Sequence, residues 1–375
     1  MKLRVLHCIY DDPDNPWVAG GGAVRVLELY RRLLDDVQVT VATGNYPGAT
    51  NTTRDGVKYQ RLGSPAPYAW SRWSYARRAS ALLAEGDYDV AVFDHSVYTP
   101  LKIPANRPIG ITVHHLIADT AVQRWGRLVG RLVALAERRS LRHARWLTAT
   151  SLATYDQLRK VAPDATISQV GAGVSDEMFD LPHQEEDYLL YFGRLDWFQK
   201  GLDTLLDGFA LLAAERPSLE LRIAGRGKDL ARVRARAGEL NILPRLRLEG
   251  SVSDEERNRL FRGATLLLMP SRFEGFGMVA AEAMAAGVPV IAAAAGSLPE
   301  VVSPPDGGML FPAGDATEMR TAAAALLDNA ERRAIVSDSA RKTARRFRWS
   351  SVARDHEEFL RTIHRDFTTT PTDQT

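Results

Sequence analysis

Short apolar runs alternating with helically spaced segments, in two separate series, constrain this chain more than any other feature. The first series opens with Leu3-Arg4-Val5-Leu6-His7-Cys8-Ile9, short enough for a buried strand and followed by a Pro- and Gly-rich loop. After Gly20-Gly21-Gly22, the residues Val26, Leu29, Tyr30, Leu33 and Leu34 recur at helical spacing, and Val37-Gln38-Val39-Thr40-Val41 reads as the next strand. Asp89-Val90-Ala91-Val92-Phe93 and Gly110-Ile111-Thr112-Val113 continue the pattern. Strand, glycine loop, helix, strand is the opening of a doubly wound parallel sheet with right-handed crossovers.

A second series starts at Tyr188-Leu189-Leu190-Tyr191-Phe192 and alternates strand and helix as far as Val288–Ala292. Between the two lies irregular sequence at 171–187. The expected architecture is α/β, with two Rossmann-like doubly wound domains facing a cleft: 1–181 and 182–350. The last helices, near 317–327, 332–347 and 351–365, carry no strand between them, and 368–375 reads as a disordered end. The length of 375 residues suits two domains of this kind.

Composition removes several classes of function. Hydrophobic residues make up 45% and charged residues 25%, as in a globular protein and unlike a disordered chain. Lys+Arg 48 against Asp+Glu 46 leaves a formal charge of +2, too little to attract nucleic acid over the whole surface. The single cysteine, Cys8, forms no internal disulfide and builds no thiolate metal site, which fits a reducing cytoplasm. The start of the chain reaches Asp11-Asp12 too soon for a signal peptide, and no apolar stretch is long enough to span a bilayer.

The chemistry concentrates in the second half. Pro270-Ser271-Arg272-Phe273-Glu274-Gly275-Phe276-Gly277-Met278-Val279 ends an apolar strand and opens a helix, whose first amides (Gly277, Met278, Val279) suit an anion. Glu274 lies in the turn, and Glu282 about one turn into the helix. A cap and a solvated face would explain the pair blandly. Yet Glu282 stands among Val279-Ala280-Ala281 and Ala283-Met284-Ala285-Ala286, small residues that pack closely. Two carboxylates here suit neutral hydroxyls beside a phosphate. Arg194 and Lys200 flank the turn before another helix start, where cations oppose the helix dipole unless an anion lies between them. A diphosphate removes that conflict.

These segments resemble the signature of retaining nucleotide-sugar glycosyltransferases of family 4, which have the GT-B fold. Glu274 and Glu282 match the family's Glu-x7-Glu motif, Gly-Phe-Gly and Gly-Val-Pro-Val contexts included, and Arg194 and Lys200 align with its donor-diphosphate cations. The resemblance covers nearly the whole chain. It implies a metal-independent, retaining hexosyl transfer from a UDP- or GDP-sugar to a hydroxyl acceptor, in glycan, glycolipid or glycoconjugate synthesis, with no cofactor. Glu274 would orient the sugar and Glu282 the ribose hydroxyls. Val252, after Gly250-Ser251, would lie at the base. Gly21 and Gly22 match the glycine loop near the donor phosphate, and His114 (with His115 the alternative) matches a histidine that reaches the donor sugar. The acceptor would sit on the first domain, with the helix at 351–367 packing back onto it. The chain departs from the usual linker pattern, having Ala172 and Ser175 where the family often has Asn and Asp. Two alternatives remain: a nucleotide-sugar epimerase of the same fold, and a non-catalytic sugar-nucleotide-binding subunit.

Two Asp-x-Asp pairs, Asp12/Asp14 and Asp87/Asp89, look like metal-binding motifs of the other major transferase fold. His356-Glu357-Glu358 lacks the second histidine of a zinc protease. Finally, residues 102–160 hold eleven Lys/Arg against three acids. Arg124, Arg127, Arg131, Arg138, Arg142 and Arg145 would form a basic stripe on one helix spanning 120–146, with Trp125, Leu128, Val129, Leu132 and Leu135 mostly on another face. Either that apolar face packs on the sheet, or the helix docks peripherally on an anionic cytoplasmic membrane surface, which would favour a lipid-linked acceptor over a sugar or other small molecule.

Overall fold

The computed structural model describes residues 2–18, 20–96, 103–104 and 106–369, apart from the side chains of 119–125. It divides into two compact units, Met1–Ala172 with Trp349–Thr375, and Gly173–Arg348.

The first unit is built on an eight-stranded sheet. Its strands are β1 (Leu3–Cys8), β2 (Val37–Gly44), β3 (Thr52–Arg54), β4 (Val57–Leu62), β5 (Val90–Asp94), β6 (Ile109–Val113), β7 (Trp146–Ala149) and β8 (Thr166–Gln169). They are ordered β3-β4-β2-β1-β5-β6-β7-β8 and parallel except for the β3–β4 hairpin. The helices are α1 (Gly21–Arg31), α2 (Tyr68–Glu85), α3 (Ala118–Arg142) and α4 (Leu152–Val161). Val5 stands beside Val39 on one side and Val90 on the other, so β1 is central and the strand order reverses between β1 and β5. Such a reversal opens a crevice at the carboxyl ends of the strands.

The second unit holds a six-stranded parallel sheet: β9 (Tyr188–Phe192), β10 (Glu220–Ala224), β11 (Leu246–Gly250), β12 (Leu266–Met269), β13 (Val290–Ala293) and β14 (Gly308–Phe311). The order β11-β10-β9-β12-β13-β14 puts its reversal between β9 and β12. Its helices are α5 (Asp176–Asp180), α6 (Leu202–Glu215), α7 (Leu230–Glu239), α8 (Asp254–Gly263), α9 (Met278–Ala285), α10 (Leu298–Val302), α11 (Ala316–Leu327) and α12 (Ala330–Ala344).

Several local expectations need correction. The division falls at 172/173 instead of 181/182, because Val174 and Met178 are buried in the core of the second unit. The segment 171–187, expected to be irregular, contains α5. The C-terminal helix runs over Trp349–Thr369, so Thr368 and Thr369 are helical, their hydroxyls donating to the carbonyls of His364 and Arg365. It packs on the first unit through Val352, His356, Phe359 and Ile363, and Gly110 admits it closely: a Cβ there would stand 2.6 Å from the Phe359 ring. Residues 120–146 are not one helix. Gly126 has φ 79° and ψ 171°, which breaks α3 into two segments, and Trp146 begins β7. Among the described residues, no helix is long and apolar enough to cross a membrane.

Candidate active site

In the second unit Lys200 and Glu274 meet where the sheet reverses. Gly201 decides this locally. It has φ 62°, and a Cβ there would lie 2.1 Å from the Pro270 carbonyl oxygen, so only glycine lets the β9–α6 loop lie against the β12–α9 loop. Arg272 N–H donates to the Gln199 carbonyl at 2.9 Å, and the Arg272 guanidinium grips the Asp203 carboxylate at 2.8 and 2.9 Å. With the two loops tied, Lys200 Nζ reaches both oxygens of Glu274, at 3.0 and 2.7 Å, with both side chains largely covered.

This pairing gives Lys200 a counter-charge from the protein itself. Its counter-charge is Glu274, and α6 starts only at Leu202. Arg194 is exposed, and its guanidinium donates to the Gln199 side-chain oxygen at 3.4 Å.

Gly277, with φ 92°, turns the chain into α9, so the amides of Gly277, Met278 and Val279 lie at the start of that helix. Val252, Phe276 and Val279 pack, half-buried, on one apolar cluster. Glu282 is half-buried on α9, and burial pushes its carboxyl up to about 7, with Arg257 of α8 the opposing influence. It is therefore no freely solvated helix residue.

In the first unit the glycine loop, β5 and β6 converge. A Cβ on Gly22 would stand 3.8 Å from Asp94 Oδ2 and 3.9 Å from Asp11 Oδ2. Gly21 is the first residue of α1. His114, just past β6, is partly exposed and places Nε2 2.8 Å from Asp94 Oδ2. His7 Nε2 lies 3.1 Å from the other oxygen. Burial opposes ionisation of Asp94, but these two imidazoles hold its carboxyl well below the usual range. Burial instead lifts Asp11 to about 6, with Arg72 opposing. His115 makes its own polar interaction.

Sequence reasoning missed Asp94, Asp11 and His7. Asp94 ends a wholly apolar strand and His7 sits inside one, so each reads locally as strand punctuation; only the β1–β5 and β5–β6 pairings bring them to His114. The Asp-x-Asp pairs are taken up by arginines. Asp12 is buried against Arg61 at 2.5 Å and accepts from the Tyr46 hydroxyl, Asp14 pairs with Arg54, and Asp87 and Asp89 both pair with Arg4.

Comparison with known proteins agrees with this fold. Residues 175–343 match the family described as glycosyl transferases group 1, and residues 19–177 match glycosyltransferase family 4. An MMP alpha-(1->4)-mannosyltransferase of Mycolicibacterium hassiacum is 32% identical over 301 residues, 75% of this chain and 72% of that protein. A D-inositol 3-phosphate glycosyltransferase of Thermobispora bispora is 28% identical over 92% of both chains. Among solved structures, a sucrose-phosphate synthase from Thermosynechococcus elongatus superposes with a TM-score of 0.81 at 20% identity, covering 97% of this chain and all of that one. With both units matched and similarity of this extent, the chain belongs to the group 1 glycosyltransferases, hexosyl-transferring enzymes of the GT-B fold with two parallel-sheet α/β domains.

Proposed function

We propose that this enzyme moves a hexosyl group from a nucleotide diphosphate sugar to a hydroxyl acceptor, with retention and without a metal. What carries the reading is the Lys200–Glu274 pair at the reversal of the second sheet, beside the amides that open α9. The donor diphosphate meets Arg194, Lys200 and the amides of Gly277, Met278 and Val279, which stabilise the charge developing on the leaving group. As Lys200 turns to the diphosphate, Glu274 is released to orient the sugar hydroxyls. Glu282 accepts from the ribose hydroxyls, and Val252 lines the base position. In the first unit, Gly21, Gly22 and His114 are the candidate ligand-binding groups, His114 for a hydroxyl. The acceptor is held by the first unit. The relatives named for mannosyl transfer and for inositol phosphate favour mannose or a similar hexose, and a polyol or phosphorylated alcohol as acceptor.

Retention is tested by one NMR spectrum of the product. The donor's anomeric configuration is expected; the opposite anomer overturns the mechanism, and hexose inversion without acceptor points to an epimerase. Turnover in EDTA is expected to equal turnover with added Mn²⁺ or Mg²⁺. Arginines already engage Asp12 and Asp14, and Arg194 and Lys200 supply the charge a metal would otherwise bring. Chelator-sensitive activity restored by either ion refutes this.

The second segment of α3 favours a membrane-surface acceptor. Leu128, Leu132 and Leu135 share one helical face and are 77%, 60% and 66% exposed, so that face does not pack on the sheet. Arg131, Arg138 and Arg142 run along its edge, all exposed. Arg124, expected in the stripe, and Trp125, expected on the apolar face, lie outside the described side chains. An apolar face edged by cations fits an anionic lipid surface, each cation adding about 1 kcal/mol near the headgroups. The full chain is expected to co-sediment with anionic vesicles at low salt, and less at high salt or as Leu132→Glu. Equal failure to bind anionic and neutral vesicles assigns a soluble acceptor.

A further inference from the structure

His114 stands at the exposed end of a buried polar chain that crosses the first unit. From Asp94, which it shares with His7, the chain continues inward: His7 Nδ1 lies 2.9 Å from the Tyr30 hydroxyl, and that hydroxyl lies 3.1 Å from His356 Nε2 on the C-terminal helix. His7, Tyr30 and His356 are all wholly buried. Five side chains from β6, β5, β1, α1 and the last helix thus form one connected line.

The line has one self-consistent direction. Ionised Asp94 accepts, so His114 and His7 each donate from Nε2. With Nε2 of His7 donating to Asp94, its Nδ1 serves as the acceptor, and Tyr30 donates its proton there. Tyr30 oxygen in turn accepts from Nε2–H of His356. His356 Nδ1 has no hydrogen-bond partner, as befits a bare lone pair, because a buried N–H there would be stranded. Burial, with Arg25 adding to it, keeps the His356 ring neutral. These tautomers follow from the network of distances. With Nε2 of His114 committed to Asp94, Nδ1 is the nitrogen left for a ligand.

We infer that Tyr30 and His356 are positioning residues, acting through His7 and Asp94 to fix the ring orientation and proton placement of His114. The C-terminal helix is thereby part of the site, and not only a cover for the sheet. The inference rests on the proposed role of His114 for its consequence in transfer, but not for its geometry. Among the described residues, the other charged or titratable groups facing Asp94 are Asp11 of the following loop, Tyr75 of α2, and Arg25 of α1, which is buried and donates to the Val170 and Gly171 carbonyls; Cys8 of β1 faces Tyr30. Arg72 of α2 faces Asp11. None of them interrupts the line. A continuous buried network of this kind specifies one geometry, because each partly satisfied alternative leaves a polar atom without a partner.

Tyr30→Phe removes one oxygen and leaves His7 Nδ1 without its donor. The hydrogen bond that His7 makes to Asp94 then changes, and with it what Asp94 offers to His114. The readout is NMR of the full chain labelled with 15N-histidine, the His114 resonances being those lost in His114→Gln. The pH at which His114 titrates is expected to shift in Tyr30→Phe. His356→Leu is expected to shift it in the same direction, whereas His356→Gln, whose amide still donates to Tyr30, restores the wild-type value. Turnover is expected to fall with the titration shift while KM for the donor stays constant. Unchanged His114 titration in folded Tyr30→Phe and His356→Leu overturns the inference, whatever happens to activity. A shifted titration with unchanged kinetics keeps the positioning chain and overturns the role of His114 in transfer.

Discussion

Lys200→Ala is expected to lower turnover by about a hundredfold or more, the loss typical of removing one donor that stabilises developing negative charge. Its second consequence follows from the Lys200–Glu274 pair. Without the ammonium, a largely covered carboxylate is left without its counter-charge, so the second unit should also lose stability, by on the order of 1–3 kcal/mol. Arg194→Ala, at an exposed residue with only a neutral partner, is expected to cost turnover at least about tenfold with no change in unfolding temperature. The double variant Lys200→Ala with Glu274→Gln separates the two effects: it should recover stability and stay inactive. Kinetics close to wild type in both single variants would remove the diphosphate role altogether.

Glu282→Gln carries the other large effect, and its sign depends on pH. Burial raises the Glu282 carboxyl to about 7, so the folded state binds its proton more tightly than the unfolded chain does. That contribution to stability is complete below the unfolded value and is lost as pH rises through about 7. The neutral glutamine does not titrate. The variant should therefore match wild type near pH 4 and exceed it near pH 8, by up to about 3 kcal/mol. Donor affinity should move the other way, because the ionised carboxylate is the better acceptor for ribose hydroxyls. Unfolding temperatures that differ equally at both pH values would show that this carboxyl does not titrate as its burial requires.

Much of this protein is legible in short windows of sequence. Apolar runs such as Val90–Phe93 and Tyr188–Phe192 carry their own strand signal, and the glycine turn before Met278 carries its own helix start, because periodicity and turn chemistry act over a few residues. The seven residues between Glu274 and Glu282, with Arg194 and Lys200, are enough to point to the family. Short strands with mixed composition were not legible. The strands β3 and β4 form a polar sheet edge, and β7 was absorbed into the basic segment before it, since the single Gly126 that breaks α3 does not disturb the spacing of its arginines.

Which side chains meet was decided only by the tertiary structure. Lys200 finds Glu274 because β12 lies beside β9 and Gly201 lets two loops touch. His7, Asp94 and His114 converge because β1, β5 and β6 are neighbours in the sheet although distant in the chain. His356 joins them because the last helix returns to a sheet whose Gly110 leaves it room. Local sequence fixes what each segment is, through its own periodicity. Strand order fixes what each segment touches, and that order comes from burying all the strands at once in two cores, a condition that no single window contains.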